Sequence, residues 1–262
     1  MKPYILLTND DGIFSPGLHA MAEAVADLGD LLIAAPHSQQ TSMGRSFPRT
    51  PEQGIIEQVE LPGLENAACY SVHGSPAYSV AHAVLELADR VPDLCLCGIN
   101  YGENLGATVT CSGTLGAAFE ANTHGIPAIA VSLEAPLNIQ RKRDYPEYNW
   151  KAAQEVTRSM VQAVCEKGFP PHAKLLNINV PLAAKNGTCY KMTRLSSQNY
   201  FNFLLPPERD LASSFELKCE RSIDLQNLEP DSDIYATYVQ HTISVTPMSL
   251  DMTVNGAMEW RI

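Results

Sequence analysis

Runs of consecutive apolar residues recur along the first 135 residues, separated by segments with helical spacing. Four runs have strand length and lack polar alternation: Tyr4 to Thr8, Leu31 to Ala35, Asp93 to Cys97 and Ala128 to Ser132. Strands that are buried on both faces have this pattern. The runs therefore predict an α/β fold, in which a mostly parallel sheet is covered by helices on both faces.

The intervening segments carry start and stop signals for helices. Pro16 begins a helix that Gly29 ends, and its apolar residues are Leu18, Met21, Val25 and Leu28. Ser75-Pro76 places a capping serine before a proline, which is a common helix start. Ser112-Gly113-Thr114 leads into a helix of small residues from Leu115 to Thr123. These signals predict a helix after each strand of the sheet.

The pattern weakens after residue 135. Residues 136–150 are charged and aromatic and indicate a loop, and a helix from Lys151 to Lys167 and a strand from Lys174 to Val180 follow. Residues 182–232 mix polar residues with prolines, and Ile234 to Val245 alternates as strands do. We therefore predict an α/β catalytic core over residues 1–181 and a C-terminal lobe or arm over residues 182–262.

Composition narrows the classes of function. The 262 residues carry a formal net charge of -11, which disfavours binding to polymeric nucleic acid. No run approaches the about 20 apolar residues of a membrane helix, and the N-terminus is charged too early for a secretory signal. The seven cysteines include no C-x-x-C pair, so we interpret them as reduced, buried thiols. We expect a soluble, cytoplasmic protein that does not bind membranes, and we interpret its seven histidines as scattered structural or surface residues.

Polar side chains follow three of the predicted strands. Asp10 and Asp11 follow the first, a loop with Thr41 and Ser42 follows the second, and Asn100 lies after the third. The carboxyl ends of parallel strands meet at one edge of a sheet, where ligands bind. Two carboxylates that share a crevice favour a cation between them, and oxygen ligands suit Mg²⁺, Mn²⁺ or Ca²⁺. The alternative is an ordinary turn whose aspartates bond local amides.

A helix start offers a second candidate site. Ser112, Gly113 and Thr114 would present backbone N–H groups and hydroxyls at the positive end of a helix dipole. Such a position binds anions such as phosphate. The alternative is that Ser112 or Thr114 only caps the helix. A cation beside a phosphate cradle is what the hydrolysis of a phosphate ester requires.

These motifs, in this order, resemble those of the SurE (survival protein E) family of nucleotidases. The matching segments are residues 5–13 (ILLTNDDGI), 16–18 (PGL), 74–77 (GSPA), 98–100 (GIN) with Gly102 and Asn104, 112–114 (SGT) with Ala117 and Ala118, 125–132 (GIPAIAVS) and 243–247 (ISVTP). The similarity is dense over residues 3–133, thin through the middle and present again near the end.

The resemblance implies a Rossmann-like core and a metal-dependent 5'(3')-nucleotidase that hydrolyses nucleoside monophosphates, in some members also short polyphosphate. It implies one divalent ion per subunit, with Mg²⁺ or Mn²⁺ expected, and a C-terminal arm exchanged in homodimers or homotetramers. The family's metal ligands fall on Asp10, Asp11 and Asn100, which we predict to be catalytic. Its serine ligand falls on Thr41 in this sequence, with Ser42 as the alternative. The family's phosphate contacts fall on Asn104, Ser112, Gly113 and Thr114.

Other functions are less well supported by the residues. A non-catalytic nucleotide-binding or sensor protein would keep the pocket, and the threonine at position 41 leaves that alternative open. An aspartyl-phosphate phosphatase would carry D-x-D after the first strand, whereas the sequence has it only at Asp231-Ser232-Asp233. A serine hydrolase lacks its G-x-S-x-G signature here. We interpret Tyr101 as a stacking or packing residue and Arg141-Lys142-Arg143 as a solvated loop.

Overall fold

The structure is a computed structural model that describes residues 2–140 and 145–253. Its strands, in chain order, are β1 (Tyr4–Thr8), β2 (Asp30–Pro36), β3 (Ile56–Gln58), β4 (Ala68–Val72), β5 (Leu94–Tyr101), β6 (Ala128–Leu133), β7 (Leu175–Val180), β8 (Tyr190–Met192), β9 (Phe201–Phe203), β10 (Cys219–Arg221) and β11 (Ile243–Met248). Its α-helices are α1 (Pro16–Val25), α2 (Pro76–His82), α3 (Gly113–Thr123) and α4 (Lys151–Lys167).

Nine strands form one sheet in the order β3-β4-β2-β1-β5-β6-β7-β11-β8. The six strands from β4 to β7 in this order are parallel, and β3 and β11 run antiparallel to their neighbours β4 and β7. Each central strand is buried along nearly its whole length. The predicted mostly parallel α/β sheet is therefore confirmed, with an antiparallel strand near each edge.

Helices cover both faces of the sheet. The apolar side chains of α1 and α4, such as Met21 and Val161, pack with Leu7 and Ile33 in one core cluster. Those of α2 and α3, such as Val80 and Leu115, pack in the second cluster with alternate residues of the same strands. Ser75 caps α2 by accepting a hydrogen bond from the Tyr78 amide, as its position before Pro76 predicts.

The segment after residue 181 differs from its prediction. The expectation of strands over Ile234 to Val245 is wrong for its first half, because Tyr235–Val239 forms a π-helical turn and only β11 is extended. Short strands β8 and β11 join the main sheet, whereas β9 and β10 pair only with each other. The division at residue 181 stays a prediction, and both Arg141-Lys142-Arg143 and residues 254–262 lie outside the described residues.

Cysteine burial follows the predicted pattern only inside the sheet. Cys95 and Cys97 lie on the same face of β5, are fully buried and have their sulfur atoms 3.7 Å apart. All seven cysteines are free thiols, but Cys111, Cys165 and Cys189 are exposed, so the expectation of burial is wrong for these three. No helix within the described ranges has both the length and the apolar character needed to span a bilayer.

Candidate active site

A cleft of about 700 Å³ opens at the carboxyl edge of the parallel strands. Loops that are far apart in sequence meet there, and the cleft is lined by the predicted residues Asp10, Thr41, Ser42, Asn100, Asn104 and Ser112. Asp11, Gly113 and Thr114 lie directly behind this lining. Asp11 accepts a hydrogen bond from the Tyr101 amide, and both Gly113 and Thr114 contact the Asp10 side chain. The structure thus brings the predicted residues together, while their roles as ligands stay predictions.

Asp10 and Asp11 are unusual because they are adjacent, acidic and at most 3 % exposed. Burial raises the pKa of Asp10, and burial together with the charge of Asp10 raises the pKa of Asp11. Within residues 2–140 and 145–253, no lysine or arginine forms an ion pair with either carboxylate. A divalent cation would relieve this unfavourable pairing, so the donor set fits one.

The start of α3 supports Asp10. The Thr114 hydroxyl donates to Asp10 Oδ1 at 2.6 Å, which lowers the pKa of Asp10 against the larger effect of burial. A Cβ atom at Gly113 would lie 2.9 Å from Asp10 Oδ2 and 2.8 Å from its Cβ, so only glycine allows this approach. Ser112 Oγ accepts from the Leu115 amide and caps the helix. The Thr114 proton is therefore used by Asp10, so its predicted phosphate contact would come from the backbone N–H group, whereas Ser112 Oγ only accepts and keeps its O–H for a phosphate oxygen.

Two asparagines after β5 are held in defined orientations. Asn100 lies beyond a register shift in β5, and its Nδ2 donates to the Gly102 carbonyl at 2.7 Å. That bond leaves Asn100 Oδ1, an oxygen donor, for a cation at the cleft. Asn104 Nδ2 donates to Ser132 Oγ at 2.8 Å. Its backbone amide donates to Asn179 Oδ1 at 2.7 Å.

The residues that position Asn104 were not predicted. Asn177 and Asn179 donate to the Asn104 carbonyl from β7, at 2.9 and 3.1 Å. Both asparagines are fully buried within an otherwise apolar strand, Leu175–Val180. Buried polar groups need hydrogen-bond partners, so two asparagines alternating in such a strand were a signal in the sequence that could have identified this support.

Asp11 is held by aromatic and amide groups. Its Oδ2 accepts from the Tyr101 amide at 3.2 Å, and the Tyr145 hydroxyl donates to its backbone carbonyl at 2.8 Å. The Tyr101 ring is 5 % exposed and packs edge-on against Trp150 with ring centroids 4.9 Å apart. The ring of Tyr101 therefore packs inside the protein while the residue lines the cleft, and its stacking on a ligand stays a prediction.

The far wall of the cleft comes from the C-terminal segment. Phe201 and Phe203 of β9 and Lys218 and Cys219 at β10 line it. Arg221 of β10 ties this wall to the core, since its Nη2 lies 2.5 Å from the buried Glu103 Oε1 and 3.3 Å from Glu134 Oε1. Sequence reasoning missed this wall, because nothing in the sequence relates residues 201–221 to a loop about 100 positions earlier.

The only D-x-D motif has a structural role. Asp233 is fully buried and accepts hydrogen bonds from the backbone amides of Gly106, Ser196 and Ile234 at 2.8 to 2.9 Å. It does not line the cleft. The geometry therefore gives no support to an aspartyl-phosphate mechanism at this motif.

Comparisons with known proteins identify the family of the chain. Residues 5–202 match the family model described as Survival protein SurE. The chain is 37% identical over 259 residues to the 5'-nucleotidase SurE of Thermococcus gammatolerans, covering 97% of this chain and 93% of the relative. It is 36% identical over 257 residues to that of Methanosarcina mazei, covering 97% and 94%. A crystal structure of the SurE protein from Aquifex aeolicus is similar with a TM-score of 0.78, 29% identity and 98% and 97% coverage.

Proposed function

Because the chain belongs to the SurE family and is a nucleotidase, we propose that it hydrolyses nucleoside monophosphates with one divalent ion per subunit. The observation that carries this proposal is the buried pair Asp10 and Asp11 at the cleft, which has no cationic partner among the described side chains. We propose Asp10, Asp11, Asn100 and the Thr41 hydroxyl as the ligands, and Mg²⁺ or Mn²⁺ as the ion.

The chemistry of this site follows from the roles of its residues. A bound divalent ion would lower the pKa of a water molecule and offset the charge of the phosphoryl group. The backbone N–H groups of Gly113 and Thr114, at the positive end of α3, would hold phosphate oxygens. Asn104, fixed by Ser132 and β7, would orient the ester. Asp10 would also accept the proton of that water, and the Thr114 hydroxyl, which donates to it, would keep its carboxylate oriented.

Short polyphosphate, a homodimeric or homotetrameric state and a cytoplasmic location belong to the same proposal. Polyphosphate shares the phosphoryl group that the site would bind. The exposed apolar side chains of the C-terminal segment, which include Leu205 at 95 % exposure, supply a surface through which subunits could associate.

The test is phosphate release from a panel of nucleoside monophosphates and short polyphosphate, with Mn²⁺ or Mg²⁺ and with a chelator. We expect release that the chelator abolishes. Asp10→Asn should reduce kcat/KM by at least about 1,000-fold, because a ligand and a proton acceptor are removed together, while circular dichroism shows the wild-type fold. Nucleotide binding without phosphate release would instead indicate the sensor alternative, and full activity of Asp10→Asn would exclude this site.

A further inference from the structure

A second group of metal-ligating side chains lies at the outer part of the sheet, on β2, β3 and β4. His37 and His73 each follow directly after paired strands, because Pro36 and Val72 are the last residues in register between β2 and β4. Their imidazole rings stack with centroids 4.1 Å apart. The interpretation of the histidines as scattered residues is therefore wrong for this pair.

A carboxylate completes the group. Glu57 of β3 is opposite Ser71 of β4 in the antiparallel register. Ser71 and His73 are two residues apart along the chain, so they point to the same side of the sheet. The His37 amide donates to the Val72 carbonyl and the His73 amide to the Ile55 carbonyl, each at 2.8 Å. The backbone thus fixes all three side chains on one side of rigid strands.

The distances fit a single small cation. Glu57 Oε2 lies 3.5 Å from His37 Nδ1 and 3.5 Å from His73 Nε2, and one ligand atom from each residue can be chosen so that all lie within 4.8 Å of one another. In a tetrahedral zinc site with ligands at about 2.1 Å, neighbouring ligand atoms are about 3.4 Å apart. Two edges of the group therefore already have the spacing of a zinc site. Because imidazole binds a metal in the plane of its ring, the stacked rings of His37 and His73 have to turn so that both nitrogens face the ion.

Neighbouring groups favour the ligating tautomers. Glu52 Oε2 lies 3.5 Å from His73 Nδ1, on the opposite side of the ring from Glu57. A carboxylate in this position orients a histidine and directs its other nitrogen toward a metal. Ser71 Oγ lies 3.0 Å from His37 Nδ1. When the hydroxyl donates, Nδ1 is unprotonated, and a cation that binds this lone pair takes the place of the Ser71 hydrogen bond.

The competing explanation is a set of surface ion pairs between protonated histidines and glutamates. Two protonated imidazoles stacked at 4.1 Å would repel each other, and a shared cation avoids that repulsion because both rings stay neutral. The side chains of His37 and Glu57 are 49 and 53 % exposed, so an ion can enter from solvent. Two nitrogen ligands and one oxygen suit Zn²⁺ and similar late first-row ions and do not suit Mg²⁺.

We propose that His37, Glu57 and His73 form a binding site for a divalent ion of the zinc type, separate from the oxygen-ligated centre at Asp10. The proposal does not depend on the proposed nucleotidase reaction. It needs only the full chain and the ion.

The test is equilibrium dialysis of the protein against Zn²⁺ with Mg²⁺ in large excess. We expect one zinc ion per chain, with an X-ray absorption spectrum that contains imidazole ligands. His37→Ala and His73→Ala should each weaken zinc binding by at least about 100-fold, and Glu57→Gln by at least about 10-fold. Circular dichroism and the thermal midpoint without zinc verify that the variants fold.

Two controls separate this site from others. His19→Ala removes a histidine whose Nδ1 also lies 3.5 Å from a glutamate, Glu23, but it has no second imidazole in that pair, so zinc binding should not change. Asp10→Asn should also leave zinc binding intact. If His37→Ala and His73→Ala bind zinc as the wild type does, if zinc binding is lost only in Asp10→Asn, or if no zinc binds, the proposal is overturned.

Discussion

Asp10 and Asp11 at the sheet edge are at most 3 % exposed, whereas Phe203, Leu205 and Leu211 in the C-terminal segment are 71, 95 and 83 % exposed. The first pair consists of charged groups inside the protein, and the second set consists of apolar groups in solvent. Burial of the carboxylates is maintained by the parallel strands and α3. The contrast indicates that the core holds the two carboxylates in place by itself, while the arm, which also supplies one wall of the cleft, has apolar surface that the described residues do not cover.

Asp233 is one of the polar groups that join the two regions, because it accepts from the Gly106 amide of the core and from two amides of the arm. Asp233→Ala would leave the buried amides of Gly106, Ser196 and Ile234 without their acceptor. Each unsatisfied donor costs about 1–3 kcal/mol, so we expect a loss of at least about 3 kcal/mol in the free energy of unfolding, measured with urea. Hydrogen exchange should accelerate at these three amides.

The neighbouring Asp231→Ala is the matched control for this experiment. Asp231 is exposed, and among the described residues its hydrogen bond is one that its backbone carbonyl accepts from the Arg194 amide. Its replacement should change the free energy of unfolding by no more than about 0.5 kcal/mol. Equal effects of the two substitutions would show that Asp233 does not anchor the arm.

The exposed apolar surface of the arm leads to a prediction about assembly. Leu205→Glu should weaken self-association by at least about 10-fold, because burying a leucine contributes about 1.5–3 kcal/mol and a glutamate would resist burial. Light scattering over a range of protein concentrations measures the mass. Leu85→Glu is the control, since Leu85 is also 72 % exposed but lies on the helical turn Ala83–Leu87. Unchanged association in Leu205→Glu would exclude this surface as the interface.

The same contrast separates what the sequence could predict from what it could not. Strands β1, β2, β5 and β6 have continuous apolar runs, so their positions followed from local pattern alone, whereas β4, with Tyr70 and Ser71 in its five residues, lies inside the sheet and was not predicted. Strands β3, β8, β9 and β10 have three residues each, which is too short for a period to be detected. Their formation depends on pairing with distant residues.

The residues of the candidate site also divide into those that the sequence could predict and those that it could not. Asp10, Thr41, Asn100 and Ser112 could be placed in one cleft because the carboxyl ends of parallel strands share an edge. The wall formed by Phe201, Phe203 and Lys218 could not be predicted, because the contact depends on how the arm folds back. The Thr114 hydroxyl was expected to contact phosphate, and only the coordinates show that it donates to Asp10.

The hydrogen bond from Thr114 to Asp10 provides a test of how neighbouring groups set the pKa of Asp10. Thr114→Val keeps the shape of the side chain and removes the donor to Asp10 Oδ1. Since this bond lowers the pKa of Asp10, its loss should raise the pKa. If ionised Asp10 is required, the acidic limb of the pH profile of kcat/KM should move to higher pH. A hydrogen bond to a charged group contributes about 1.5–3 kcal/mol, so kcat/KM at the optimum should fall by about 10-fold or more.

Thr157→Val is the control, because the Thr157 hydroxyl is also buried and donates at 2.6 Å, but to the Ala153 carbonyl in α4. It should leave the pH profile in place. A Thr114→Val enzyme whose acidic limb stays at the wild-type pH would indicate that Asp10 does not set that limb.

The smallest expected effect concerns the choice between Thr41 and Ser42, both of which line the cleft. Thr41→Val preserves shape and removes an oxygen ligand, so we expect Mn²⁺ affinity to fall by about 10-fold, whereas Thr41→Ser should stay within about 3-fold of the wild type. Ser42 has a φ of 65°, a conformation that glycine adopts readily. Ser42→Gly therefore removes the hydroxyl without strain and should bind Mn²⁺ as the wild type does. The reverse result, with normal binding in Thr41→Val and weak binding in Ser42→Gly, would assign the hydroxyl ligand to Ser42.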